Sequence, residues 1–273
     1  MILSTVNSAH KTMPVTDVDR PRFVISSLPR CGSTSLAELL SAHKNIKCLV
    51  EPFHPKRYRG RYHELARNER ALDSTLRLIW NNWNGIKHVW QPNGWPFLDR
   101  AHLNDSILLN SDRVILLTRQ NLLRRFISNY ISQNTDYWIG TRSEFQVRLD
   151  RTRMPRLDPR RTREQINEDR DAQQRILRFL QSSQVPFLNL HYEQLFRTDA
   201  TSAERLGMTN SILRFLGYDL IQLETFTADY ASFYDATLRQ WGTTEVYSRI
   251  PNIEEIERDC GSDETGWLFR SNV

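Results

Sequence analysis

An apolar run that passes through a short turn into a leucine-striped helix constrains this chain more than any other feature. Phe23-Val24-Ile25-Ser26-Ser27-Leu28 predicts a strand, and Ser33 to about Ala42, with Leu36, Leu39 and Leu40 on one face, predicts a helix. Only Pro29-Arg30-Cys31-Gly32 separates them. A strand that feeds directly into a helix opens a crossover unit, and crossovers join parallel strands. The pattern then repeats. Strands are expected at Ile46–Val50, Ile86–Gln91, Arg113–Thr118 and Phe187–His191, and helices at His63–Trp83, after Asn121, at Glu164–Gln181 and at Ser202–Leu216 with Gly217 as the stop. The unbroken apolar Val114–Leu117 suits a strand covered on both faces. No strand is predicted in the C-terminal third. The expected fold is therefore α/β, a single domain with a mostly parallel central sheet flanked by helices. A polar leader is expected over 1–20 and the folded domain over 21–273.

Composition narrows the class. Of 273 residues, 39% are hydrophobic and 25% charged, which fits a globular chain with a core rather than a disordered one. No apolar stretch approaches the length of a membrane-spanning helix, and the first residues do not form a secretory signal. Three cysteines give no disulfide framework and suit a reducing compartment. A cytoplasmic, bacterial setting is the expectation. The net charge of +5 is concentrated: Arg148–Arg163 holds seven arginines against Asp150 and Asp158. Such a block reads either as a solvated surface loop or as a lid for something acidic, not as the spread basic face of a nucleic-acid binder.

The turn between the first strand and helix has the chemistry of an anion site. A helix N-terminus presents unpaired N–H groups and a partial positive charge. Gly32 allows close approach of an anion, Ser33, Thr34 and Ser35 supply hydroxyl donors, and Arg30 supplies a planar fork for phosphate or sulfate oxygens. The segment lacks the lysine and first glycine of a Walker A loop: Ser33 and Ser27 stand there. A γ-phosphate-transferring enzyme is thereby disfavoured. Cys31 has a second reading as a reactive thiol, because a helix N-terminus lowers thiol pKa.

Leu28-Pro29-Arg30-Cys31-Gly32-Ser33-Thr34-Ser35-Leu36 resembles the 5′-phosphosulfate-binding loop of sulfotransferases that use 3′-phosphoadenosine-5′-phosphosulfate (PAPS), with Cys31 where serine is commoner. The resemblance, closest to bacterial carbohydrate and nodulation-factor-type enzymes and extending to tyrosylprotein sulfotransferases, covers about Arg22 to Gly217. It implies a P-loop-like core within the α/β fold and a PAPS-dependent transferase that moves a sulfuryl group to a hydroxyl and releases the desulfated nucleotide PAP. The family's second anchor is an arginine after a strand and a serine in the next helix, which together bind the nucleotide 3′-phosphate. Arg119 and Ser128 match, at an offset of nine rather than the usual eight, with Ser132 in reserve. Tyr192, in Tyr192-Glu193-Gln194-Leu195, inherits an adenine contact. Arg249, in Tyr247-Ser248-Arg249-Ile250, resembles a basic residue that closes over the nucleotide in the tyrosylprotein enzymes.

Sulfuryl transfer needs a base for the acceptor hydroxyl, an in-line hold on the sulfuryl group and positive charge at the leaving oxygen. Glu51, after the second strand, resembles the family's catalytic glutamate, although Val50 replaces a usual glycine. A carboxylate at a strand end beside an anion site is expected to have a raised pKa, which suits a base. His54 is the alternative base, because cytosolic members use histidine. Lys87, a charge inside an apolar strand, resembles a lysine that family members carry in a similar segment and that stabilises the transition state in the tyrosylprotein enzymes; with Arg30 it would neutralise the leaving group. No metal is expected, since arginine and a helix N-terminus supply the positive charge. The acceptor is expected to be a saccharide, glycolipid or other hydroxyl compound, with peptide tyrosine still open. Trp80, Trp83, Trp90 and Trp95 read either as sugar-stacking or as core or dimer aromatics, and a homodimer is left open. The rival readings are a P-loop small-molecule kinase, a nucleotide-binding module without transferase activity, and an RNA binder that uses the arginine block.

Overall fold

Every expected strand pairs in one sheet. In the computed structural model, which describes residues 21–138, 140–235 and 244–269, the chain runs β1 (Phe23–Ser27), α1 (Ser33–Ser41), β2 (Cys48–Val50), α2 (Arg61–Leu65), α3 (Glu69–Trp80), β3 (Gly85–Val89), α4 (His102–Leu109), β4 (Arg113–Thr118), α5 (Leu122–Thr135), α6 (Arg142–Arg151), α7 (Pro159–Ser182), β5 (Phe187–His191), α8 (Tyr192–Leu195) and α9 (Ser202–Leu216). The strands lie in the order β2-β3-β1-β4-β5, all parallel. β1 and β3 are fully buried, as central parallel strands between two helical layers must be. The α/β fold with a P-loop-like core is thus present.

Alternation along β3 decides what faces each layer. Lys87 Nζ reaches Thr34 on α1, whereas the neighbouring His88 bonds Asn104 on α4 from the opposite face. The main core forms around the sheet, α1, α3, α4 and α9. A second apolar cluster joins α5, α6 and α7 to the C-terminal residues around the helix Ile253–Cys260.

Three sequence expectations change. The long helix expected over His63–Trp83 divides at Ala66–Asn68. The Asn68 side chain accepts from Ala71 N at 2.9 Å and starts α3 afresh, since asparagine caps a helix better than it continues one. The third strand begins and ends earlier than expected. The arginine block is not a loop: its first residues finish α6, and Asp158-Pro159 caps and opens α7. The connector between those helices is held down, with Met154 and Leu157 buried and the Asn252 side chain bonded to Leu157 N and O at 2.9 and 2.8 Å. Arg156, Arg160 and Arg161 pair with Glu255, Glu164 and Asp158. The free lid reading does not fit a segment pinned in this way. The leader 1–20 lies outside the described residues. Among the described residues no helix is long and apolar enough to cross a membrane.

Candidate active site

Ligands of open parallel sheets bind beyond the carboxyl ends of the strands, where strand order reverses. Here β1 leads to the Arg30–Gly32 turn, β2 to Glu51, β4 to Arg119 and β5 to Tyr192. Residues far apart in sequence therefore meet at one edge because parallel strands all end there.

The turn after β1 has alternating backbone handedness. Arg30 (φ 65°) and Gly32 (φ 83°) are left-handed, and Cys31 between them is not. This alternation turns successive N–H groups toward one concavity, the form of an anion nest. Gly32 precedes α1 with no side-chain cap, and no acidic residue stands in the first helical turn. The positive end of α1 is thus left open to an anion. A Cβ on Gly32 would lie 2.6 Å from the Tyr192 ring, so only glycine fits there.

Arg30 joins this turn to the second anchor. Its Nε donates to Ser128 Oγ at 3.0 Å and its Nη1 to the Trp138 carbonyl at 3.2 Å. Arg119 Nη1 donates to the Arg30 carbonyl at 3.0 Å, and its guanidinium lies 4.5 Å from the centre of the Tyr192 ring. Arg30, Gly32, Arg119, Ser128 and Tyr192 therefore form one contiguous group. Ser132, the reserve, is buried. Burial and the charge of Arg119 lower the Arg30 pKa to about 10. No carboxylate pairs with Arg30 among the described residues. Glu193 supports the anchor by accepting from Gln120 N and Asn121 N at 3.0 and 2.9 Å.

On the α1 face, Lys87 Nζ lies between Thr34 Oγ1, at 2.7 Å, and Glu51 Oε1, with which it forms a short ion pair. Arg57 Nε adds a contact to Glu51 Oε2 at 3.2 Å. Burial alone would raise the Glu51 pKa, but the Lys87 ammonium and Arg57 outweigh it and hold the carboxyl below its usual value. The raised pKa expected from sequence is therefore corrected: Glu51 stays ionised in neutral solution. Burial pushes the Lys87 ammonium down, against the opposing pull of Glu51.

The remaining candidates are placed as follows. His54 packs edge-on against Trp95, with ring centres 5.1 Å apart, and its Nδ1 accepts from Lys56 N. Burial lowers its pKa. Cys31 is wholly buried and burial raises its thiol to about 11, which removes the reactive-cysteine reading. Arg249 is not brought to the Arg30 group; it pairs with Asp150 of α6 at 2.6 Å. Trp90 is buried and donates to Ser26 Oγ, and Trp80 and Trp83 pack against the main core, so those three are core aromatics.

Two groups were missed by sequence reasoning. Arg57 was one; the signal was a cationic run after Glu51 with no acid in it. The other is the buried ion pair of Arg125 and Asp169, from which Arg125 Nη1 also donates to the Pro29 carbonyl at 3.2 Å. Its signal was an aspartate on the buried stripe of α7, in register with Ile166, Ala172 and Ile176.

No family model and no curated protein sequence matches the chain. Among solved structures, it is similar to the sulfotransferase domain of the olefin synthase of Synechococcus PCC 7002, at 18% identity over 81% of each chain and a TM-score of 0.41.

Proposed function

We propose that this chain is a sulfotransferase that moves a sulfuryl group from PAPS to a hydroxyl acceptor. One observation carries the reading: Arg30 bonds Ser128 and accepts from Arg119, so the turn at the start of α1 and the anchor after β4 form one cationic surface. A nucleotide with phosphate at both ends suits two adjoining anion sites. Arg30, without a carboxylate partner, and the uncapped start of α1 provide the fit for the phosphosulfate end. Arg119 and Ser128 provide it for the 3′-phosphate, and Tyr192, whose ring packs under the Arg119 guanidinium, adds an aromatic edge beside them for the adenine.

The nucleotide supplies an activated sulfuryl group whose departure leaves negative charge on a phosphate oxygen. The protein's part is positional and electrostatic. Glu51, ionised and at the rim of the group, accepts the proton of the acceptor hydroxyl as its oxygen becomes nucleophilic. Lys87 keeps Glu51 ionised and oriented, and its bond to Thr34 holds the ammonium beside the start of α1, where leaving-group charge is neutralised. As Glu51 takes up the proton its hold on Lys87 weakens, which frees the ammonium for that second role. His54 stands near Glu51 but is tied to the Lys56 backbone and Trp95, so Glu51 is the assigned base.

Thermal unfolding with PAP, ADP and ATP–Mg²⁺ tests the reading. PAP at a hundred times its dissociation constant should stabilise the chain by about 2.7 kcal/mol. Stabilisation by ATP–Mg²⁺ but not by PAP would instead identify a kinase. Binding of PAP with no transfer of labelled sulfate to any hydroxyl compound would leave a nucleotide-binding module.

A further inference from the structure

We infer that the acceptor carries a negative charge of its own, held by Lys56, Arg59 and Arg61 beside Glu51; this rests on the sulfotransferase reading and names its substrate class as anionic hydroxyl compounds. From Glu51 to Glu64 the sequence contains four cations, Lys56, Arg57, Arg59 and Arg61, and no acid between. Arg57 is occupied by Glu51. The other three are exposed, and among the described residues no carboxylate pairs with them. Glu64, whose carboxylate lies over Gly60, forms no ion pair with any of them. In the arginine-rich block, by comparison, Arg156, Arg160 and Arg161 each have an acid.

The run is also fixed in place. Tyr58 Oη donates to the Val50 carbonyl at 3.1 Å, next to Glu51, and Lys56 N and Arg57 N both donate to His54, at 3.0 Å each. Tyr58 (φ 49°) and Arg59 (φ 56°) adopt consecutive left-handed conformations without glycine. Glu51 and Arg30 are left-handed too, so four of the strained non-glycine residues border this site. Such conformations persist where surrounding structure imposes them, and they gather at ligand clamps. Lys56 and Arg59 on this turn, and Arg61 at the start of α2 with its guanidinium 5.7 Å from the centre of the Tyr62 ring, have no carboxylate partner among the described residues and create a positive field beside the base, which draws in an anionic acceptor and repels a cationic one. A neutral acceptor would gain nothing from them.

Calorimetry on the full chain saturated with PAP tests the inference, using three tetrasaccharides of equal length: an N-acetylglucosamine tetramer (neutral), a hyaluronan tetramer (carboxylate) and a chondroitin 4-sulfate tetramer (carboxylate and sulfate). The charged tetramers should bind at least about tenfold more tightly than the neutral one. Comparing the two charged tetramers shows whether sulfate adds to carboxylate. K56Q/R59Q/R61Q should remove that preference and reduce its salt dependence, with PAP affinity and melting temperature unchanged, and K56R/R59K/R61K should restore it. Equal binding of the neutral tetramer, no binding of either charged one, or no effect of the triple glutamine variant would overturn the inference while PAP binding still stands. A wild-type chain that fails to bind PAP would remove the sulfotransferase reading and this inference together.

Discussion

At Glu51 and Lys87 each charge holds the other ionised, so neither can be altered alone. Glu51→Gln should abolish transfer, spare PAP binding and destabilise the fold by about 3 kcal/mol, because a buried ammonium loses its counter-charge. Unfolding measurements on E51Q and E51Q/K87M check this, with the double variant expected to recover much of the loss. The pH profile separates the two candidate bases. A carboxyl held below its usual 4.5 keeps kcat/KM flat as pH falls from 8 to 5, whereas a His54 base, lowered from the ordinary 6.5 by burial, would still titrate above the carboxyl and lose activity first on the acid side of 6.5. An acid-side inflection below pH 6.5 in the wild type, absent from His54→Gln, would reassign the base. Gly32→Ala forces an L-residue into the left-handed region and pushes on Tyr192, so PAP affinity should fall at least about tenfold. Calorimetric titration with PAP decides it. Gly32 was legible in the sequence because its conformation is local; its contact with Tyr192 was not, since 160 positions separate them.

Between elements, two buried polar contacts carry consequences the site itself does not show. On β3, His88 faces α4, bonds Asn104 and is held neutral by burial, its pKa lowered to about 4. The unfolded chain binds this proton near pH 6.5 and the folded chain only near 4. Stability is therefore lost as pH falls through that window, by up to about 3 kcal/mol. Denaturant unfolding at pH 7 and pH 5 should show the decline, and His88→Gln should flatten it. On α5 and α7, Arg125 and Asp169 form a latch whose free arginine nitrogen reaches the Pro29 carbonyl. Asp169→Asn should destabilise the fold by about 3–5 kcal/mol. R125M/D169L should recover most of that stability yet still bind PAP more weakly, since the turn before Arg30 loses its donor. If PAP affinity in the double variant equals wild type, the latch serves stability alone. The strands and most helices were readable from periodicity and caps. The division at Asn68 and the helical ends of the arginine block were not, because local capping there overrode an amphipathic pattern and a charge count.

For the molecule as a whole, the site lies where two apolar clusters adjoin. The turn holding Arg30 belongs to the sheet core, while Ser128 and Trp138, its partners, sit on or just after α5 beside the second cluster. A bound nucleotide would bridge them. Hydrogen exchange should therefore slow on PAP addition in Leu28–Leu36 and Arg119–Tyr130, with α9 unchanged. Protection confined to only one of the two segments would show that a single anchor engages the ligand.

Sequence alone determined the parallel α/β plan and the glycine turn that opens α1, because a strand, a tight turn and a helix N-terminus are written in consecutive residues. Only tertiary structure decided that Lys87 lies between Thr34 and Glu51, that Arg30 meets Ser128 and that Arg249 turns away to Asp150. These pairings depend on strand order and on which face of a strand each side chain takes, and both are set by how separate segments pack rather than by any one segment's composition.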